Sequence, residues 1–315
     1  MSKKLKIIIV LSIILTIIIS IAGVAMGYGY HVYSKMEKVD VDRVEVLTED
    51  GKKEEFEDDV INVALFGTDS TEGTKGLSDS NMILTVNTKT KSIKLSSIMR
   101  DTYVQIPGHG ENIINMAMAD GGPELSLKTI NTNFNLDLDK FIAVNLNSLP
   151  KIIDRLGGLD MIIEEDELKF VNKYTKGLNE ENNTDAQRVI GVGMNHLNGT
   201  QATAYCRIRH AAGTDFKRTE RQRTVFSLIF KKLSSLSYGE LNSLINDIIP
   251  LVSTNLSYGE IISIGSHISS VGNVEIIQNR FPNEGDHWST GTNEDYRLNV
   301  DKEATAKKMN DFIYG

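Results

Sequence analysis

Residues Ile7 to Gly27 carry no charged side chain and consist mainly of Ile, Leu, Val, Ala and Gly. At a helical rise of about 1.5 Å per residue, such a run reaches about 31 Å, enough to cross a bilayer core. Lys3, Lys4 and Lys6 precede it, and Tyr28, Tyr30 and Tyr33 follow at interfacial depth. Lysine excess on the short side places the N-terminus in the cytoplasm and the rest of the chain on the far face. A cleaved signal peptide is the competing reading, favoured only by the small residues around Gly23 to Gly27. Its apolar region would normally span about 7–15 residues, which is shorter than this one. The chain therefore divides into a cytoplasmic tail (1–6), a transmembrane signal-anchor helix (7–27), an extracytoplasmic spacer (28–59) and one domain (60–315). The expected location is the cell membrane, single-pass, with that domain extracytoplasmic.

The spacer is charge-rich and mostly acidic, reading EKVDVDRVEVLTEDGKKEEFEDD from Glu37. Cys206 is the one cysteine, so no internal disulfide framework exists and the exterior domain must depend on a large core.

After the spacer, Ile61 to Gly67 (INVALFG) is a short apolar run that predicts a buried strand, ending at Thr68, Asp69 and Ser70. A Gly/Ser/Thr-rich loop leads to Asp79 and to a second run, Asn81 to Thr88. A third run, KSIKLSSI, ends at Met99, Arg100 and Asp101. The intervening loop has no helical period, so the first two runs are expected to pair as a meander rather than in parallel through a crossover. Asp69, Asp79, Arg100 and Asp101 then share one end of the sheet. Two carboxylates at a common edge are the minimum protein ligation for Mg²⁺, which completes its shell with water and phosphate oxygens. Ordinary turn chemistry is the plainer role for either aspartate alone. Zinc does not fit, because the six histidines show no close ligand pairing and a second cysteine is missing.

Further along, Pro123 to Phe134 reads as a helix and Phe141 to Leu146 as a strand. Leu149, Ile152, Ile153 and Leu156 mark an amphipathic helix stopped by Gly157-Gly158, and LDMIIEE is another strand. The tail from Asn293 to Tyr314 predicts a short strand and a closing helix. Hairpin strands mixed with βα segments predict an α/β fold: a single mixed-sheet α/β domain with helices packed on the sheet, preceded by one transmembrane helix.

The stretch from Tyr205 to Arg223, YCRIRHAAGTDFKRTERQR, is basic within a chain of formal charge -8. Arg207 and Arg209 are two apart, so a strand would give them one face. Arg218, Arg221, Gln222 and Val225 follow helical spacing, and the same face continues into Ile229 and Leu233. These arginines thus stand where a buried stripe emerges. Guanidinium groups gathered there are suited to bidentate capture of phosphate or carboxylate. A solvated charge run with local ion pairs is the plainer alternative.

Taken in order, FGTDS, SDSNMILTVN, SIMRDTYVQIPG, FIAVNLNSLPKIIDRLGGLDM and GMNHLNGTQATAYCRIRHAAGTDFKRTERQR resemble the LytR-CpsA-Psr family of cell-wall glycopolymer transferases. The resemblance covers roughly Val60 to Leu233 and fades toward the C-terminus. It implies an enzyme that takes an undecaprenyl-diphosphate-linked polymer and transfers its phosphosugar end to peptidoglycan, at a muramic-acid hydroxyl. It implies Mg²⁺ at Asp69 and Asp79, and diphosphate at Arg100, Arg207, Arg209, Arg218 and Gln222, with Arg221 a further candidate. Asp101 is the implied general base with Arg100 beside it in the catalytic pair, although an orienting role for Asp101 stays open. Apolar helical faces would line a groove for the polyprenyl tail. Met99 stands where the family usually has Pro, and Ile113 where a Lys is common.

Three rivals remain. A nucleic-acid-binding regulator is opposed by the exterior placement of the basic segment and by the acidic balance. A non-catalytic polyprenyl-diphosphate or polymer-binding protein, and a lipid-diphosphate hydrolase, would need nearly the same arginines.

Overall fold

The computed structural model describes residues 29–31, 33–47, 59–70, 73–209, 215–236, 240, 244, 247–272, 274–292 and 295–315. Its centre is one mixed sheet of seven strands in the order β1-β10-β7-β2-β3-β4-β11. These are Glu37–Lys38 (β1), Val60–Thr68 (β2), Ser78–Asn87 (β3), Ser92–Ile98 (β4), Phe141–Asn145 (β7), Ser253–Thr254 (β10) and Ile276–Phe281 (β11). Among the described residues three two-stranded antiparallel pairs flank it: Tyr103–Ile106 (β5) with Gly110–Ile113 (β6), Leu159–Ile163 (β8) with Gly193–Leu197 (β9), and His287–Thr290 (β12) with Arg297–Val300 (β13). β2, β3 and β4 form the predicted antiparallel meander, whereas β7 and β11 join in parallel at either side.

β3 sits mid-sheet and is buried along nearly its whole length. A strand covered on both faces reads as a continuous apolar run, which is why NMILTV lacks alternation. Its Ile83 joins a core with Ala64, Phe66, Ile98 and Phe141 under the helices Met116–Phe134 (α1) and Lys302–Tyr314 (α7). Leu84 and Val86 face the opposite side, toward Asp215–Ser235 (α5) and Tyr258–Val271 (α6). A third apolar cluster belongs to the β8–β9 pair with Ser148–Arg155 (α2), Glu165–Asn182 (α3), Gly199–Cys206 (α4) and part of α5. The helix expected from Pro123 is the second half of α1. Gly122 (φ 65°) breaks the helix before that proline, where a left-handed backbone and a missing N–H both suit a kink. α2 ends as expected at Gly157 and Gly158, both at positive φ (77° and 80°).

Much of the expected spacer is part of the domain. β1 pairs with β10, Asp42 caps the helical turn Arg43–Val46, and Val46 is fully buried in the main core. Arg43 Nη1 and Nη2 reach Glu260 at 2.5 and 3.0 Å, fastening this strap to the start of α6. The apolar run at 7–27 and residues 48–58 lie outside the described residues. Among the described residues no helix is long and apolar enough to cross a membrane.

Candidate active site

The meander delivers its acids and arginine to one edge. Arg100, directly after β4, places Nη1 2.5 Å from Oδ1 of Asp79, the second residue of β3. Its Nε lies 3.3 Å from Asp101 and 3.6 Å from Asp215, the first residue of α5. Arg218, one helical turn into α5, brings Nη2 to 2.5 Å from the same Asp215 oxygen. Arg209 Nη2 stands 3.9 Å from Asp79 Oδ2, and Gln222 Nε2 donates to the Asp79 carbonyl at 3.4 Å. Three strand-end residues and the first two turns of one helix thus converge on a single patch.

Its hydrogen bonding is incomplete. Arg218 is only 2% exposed, yet none of its Nε, Nη1 and Nη2 has an aligned acceptor; Arg100 Nε and Asp215 Oδ2 are likewise buried without a hydrogen bond. Asp215 is close to Arg218 in distance, but no N–H of the guanidinium is directed at it. Buried donors of this kind cost free energy unless a ligand or water accepts them. Burial lowers the Arg218 pKa against the pull of Asp215. For Arg100 burial acts the same way, but Asp101, Asp79 and Asp215 outweigh it and raise the value. Burial also pushes the Asp101 carboxyl above its ordinary range, reinforced by Asp215 and opposed by Arg100, Arg218 and Arg209.

Asp69 sits at the same edge, at the end of β2, where its Oδ1 accepts from Leu77 N at 2.7 Å. A Cβ on Gly76 would come within 2.4 Å of that oxygen, so the loop closes on the carboxylate only with glycine there. Among the described residues no group of three or more His, Cys, Asp or Glu could hold a metal. Asp69 and Asp79 offer hard oxygen donors without imidazole or thiolate, a set that suits Mg²⁺ sharing its shell with phosphate and water.

Two expected diphosphate ligands are engaged elsewhere. Arg207 and Arg209 do not share a strand face: Gly199–Cys206 is helical and Arg207 is its C-cap, with φ -91° and ψ -5°. Asn198 and Gln201 form a reciprocal capping box, a helix-start signal that outranks the two-residue spacing of the arginines. Arg207 then turns to Glu181 at 3.1 Å, near the end of α3. Arg221 is 4% exposed and meets an equally buried Glu167 at 2.6 Å, while its Nη1 donates to the Ile208 carbonyl at 3.4 Å. Sequence reasoning missed Asp215 and Glu167; the one signal for Asp215 is its i, i+3 spacing from Arg218 at a helix start.

Beside the charged patch lies an apolar layer between the sheet and the helices α5 and α6. Leu84, Val86, Ile93 and Val271 are buried in it, while Phe226, Phe230, Ile268 and Ile276 are partly buried.

Residues 26–311 match the model of the LytR_cpsA_psr family. The chain belongs to this family. It is 33% identical over 240 residues to the polyisoprenyl-teichoic acid–peptidoglycan teichoic acid transferase TagU of Bacillus anthracis, covering 73% of both chains. It is 31% identical over 227 residues to the corresponding transferase TagT of Bacillus subtilis, covering 70% of this chain and 67% of that protein. The solved structure of the LytR-CPS2A-psr family protein YwtF (TagT) with bound octaprenyl pyrophosphate lipid superposes with a TM-score of 0.65 at 25% identity. It covers 88% of this chain and all of that one.

Proposed function

We propose that this LytR-CpsA-Psr protein is a membrane-anchored phosphotransferase that joins an undecaprenyl-diphosphate-linked glycopolymer, of teichoic acid or capsule type, to peptidoglycan. The observation that carries the reading is the set of four buried guanidinium nitrogens, on Arg100 and Arg218, without aligned acceptors. Diphosphate is a dense anion that supplies such acceptors. The half-buried apolar layer next to them offers an isoprenoid tail a place out of water. The relatives named as teichoic acid transferases lend this reading its acceptor and polymer class.

In the proposed reaction a peptidoglycan hydroxyl attacks the sugar-proximal phosphorus. Arg100, Arg209 and Arg218 hold the diphosphate and offset its charge, and Gln222 fixes the Asp79 backbone at the edge. Positioning and electrostatics dominate such transfers, since the protein has little covalent chemistry to perform. Asp101 accepts the hydroxyl proton; its raised pKa makes it a stronger base than an exposed aspartate. Mg²⁺, held by Asp69 and Asp79, would supply further neutralisation of phosphate charge. Residues 7–27 hold the domain at the lipid surface where such a substrate resides. A cysteine placed within 48–58 should then react with an impermeant reagent on intact cells, while burial keeps the Cys206 thiol, pushed to about 12, silent. Labelling only after lysis would reverse the topology.

The decisive assay supplies purified protein with lipid-diphosphate-linked polymer and peptidoglycan. Covalent polymer–peptidoglycan is expected. Free polymer alone would turn the reading to hydrolysis, and binding without either product to a carrier role. Asp101→Asn should lower transfer on the order of a hundredfold while lipid-diphosphate binding holds. Binding and transfer lost together would make Asp101 an orienter of Arg100.

A further inference from the structure

Just inside Arg100, the face of β4 turned toward α5 continues from Met99, which meets Thr219, through Ser97 and Leu95 to Ile93. α5 descends beside it through Arg218, Gln222 and Arg223 to Phe226 and Phe230. Both elements pass from charge to hydrocarbon at the same level, and Ser97 and Arg223 meet there, with Nη1 donating to Oγ at 2.6 Å. Arg280 arrives at this level from β11, since it is the register partner of Ser97. Its guanidinium lies 4.3 Å from the centroid of the Phe216 ring.

Within the fold, Arg223 has one hydrogen bond to Ser97 and Arg280 a ring contact with Phe216, and neither contact neutralises a charge. Among the described residues neither forms an ion pair, and Arg223 Nε and Arg280 Nη1 are buried without an acceptor. Burial lowers both pKa values; Glu220 opposes this at Arg223 while the Arg280 charge adds to it, and Glu284 opposes it at Arg280. Two half-buried like charges repel each other and cost stability, an arrangement that persists where an anion is to be bound.

We propose that Arg223 and Arg280 form a second phosphate subsite, which holds the lipid-proximal phosphate of the polyprenyl diphosphate and retains it as the leaving polyprenyl monophosphate. The proposal rests on the transferase reading above and assigns one cluster to each phosphate. Arg100 and Arg218 take the sugar-proximal phosphate; Arg223 and Arg280 take the phosphate at the mouth of the apolar layer. During transfer the acceptor oxygen bonds to the sugar-proximal phosphorus and its proton passes to the base. The bond from that phosphorus to the bridging oxygen breaks, and the electron pair stays on the bridging oxygen. That oxygen becomes a terminal oxygen of the monophosphate, so negative charge grows where Arg223 and Arg280 stand. Stabilising it there favours the departing group over its ground state.

The test measures binding of farnesyl monophosphate, farnesyl diphosphate and inorganic phosphate to the purified full chain in detergent. Arg223→Gln and Arg280→Gln should each weaken farnesyl monophosphate about tenfold or more, with ligand-free melting temperature unchanged or raised. Arg218→Gln should weaken the diphosphate by a similar factor and the monophosphate by less than about threefold. Arg280→Lys, which keeps charge but loses the planar fork, should fall between wild type and Arg280→Gln. Monophosphate affinity unchanged in the Arg223→Gln and Arg280→Gln proteins, with Arg218→Gln still impaired, overturns the subsite and leaves the transferase reading standing. A drop in melting temperature in which Arg280→Lys restores stability but not affinity would support the subsite; one in which Lys restores both stability and full affinity would make Arg280 structural and overturn it. Inorganic phosphate bound as tightly as farnesyl monophosphate overturns the lipid assignment. Wild-type protein that binds neither lipid probe overturns this proposal and the functional reading together.

Discussion

Arg218 and Arg221 stand three residues apart on α5 and are almost equally buried, at 2% and 4% exposure. Their surroundings differ in one respect. Arg221 directs Nε at Glu167 and Nη1 at the Ile208 carbonyl, while all the nitrogens of Arg218 lack an aligned acceptor. The first guanidinium has its partner within the fold and ties the start of α3 to the segment that carries Arg209. The second is offset in charge by Asp215 at 2.5 Å, but its N–H donors have been left open. Burial of a charge therefore says little about its role; whether its donors are satisfied separates a structural arginine from one waiting for an anion.

The largest effect should come from breaking the satisfied pair. Glu167→Gln or Arg221→Met leaves one buried charge uncompensated, which costs about 3–5 kcal/mol. Denaturant melts of the single variants should show this loss, and the double variant should recover part of it, because neither charge then stays buried without its partner. Single variants as stable as wild type would erase the distinction between the two arginines.

Next in size is the open arginine, where the effect should fall on binding instead. Arg218→Gln should cost on the order of 2 kcal/mol in lipid-diphosphate affinity, roughly thirtyfold. Its melting temperature should fall by less than that of Glu167→Gln, since no aligned hydrogen bond is lost and Arg100 stays beside Asp215 to offset its charge. Arg218→Lys should also bind poorly, because an ammonium cannot reproduce the planar fork. If Arg218→Gln destabilises the domain as much as Glu167→Gln does, the contrast collapses.

How far these roles could be read before the fold was known depends on the distance of the partner. The meander was legible because its strands are consecutive and its turns short, and with it the meeting of Asp79, Arg100 and Asp101 at one edge. The helical face of Arg218, Arg221 and Gln222 was legible from spacing alone. Its division was not: Glu167 lies 54 positions before Arg221, and no local pattern links them. Arg207 and Arg209 misled for a different reason. Their spacing suits a strand, but the Asn198 capping box starts a helix that ends at Cys206, so the two side chains diverge. The strap was hidden by composition, since its acidic, lysine-rich text reads as solvated while Val46 is buried in the main core. β11 enters the sheet in parallel from far along the chain, which is why Arg280 had no visible connection to Arg223.

The smallest effect sharpens the comparison by separating satisfaction from burial. Arg43 donates to both oxygens of Glu260, so it is satisfied like Arg221, yet its side chain is 35% exposed and that of Glu260 24%. Burial alone would raise the Glu260 pKa, but hydrogen bonds from Arg43 and Ser257 outweigh it and hold the carboxyl at about 2, below its ordinary 4.5. A carboxyl depressed on folding contributes stability that is fully present above about pH 4.5 and is lost as the pH falls through about 2. Solvent screens a pair this exposed, so Arg43→Met should cost only about 0.5–1 kcal/mol at neutral pH. Other carboxylates protonate in the same window, so the informative quantity is the stability difference between wild type and Arg43→Met across the acid range. That difference should shrink from about pH 4.5 downward as Glu260 takes up its proton. A difference that stays flat to pH 2 would mean Arg43 acts through packing of its stem on the strap, and that hydrogen bonding to Glu260 is not what holds the strap to α6.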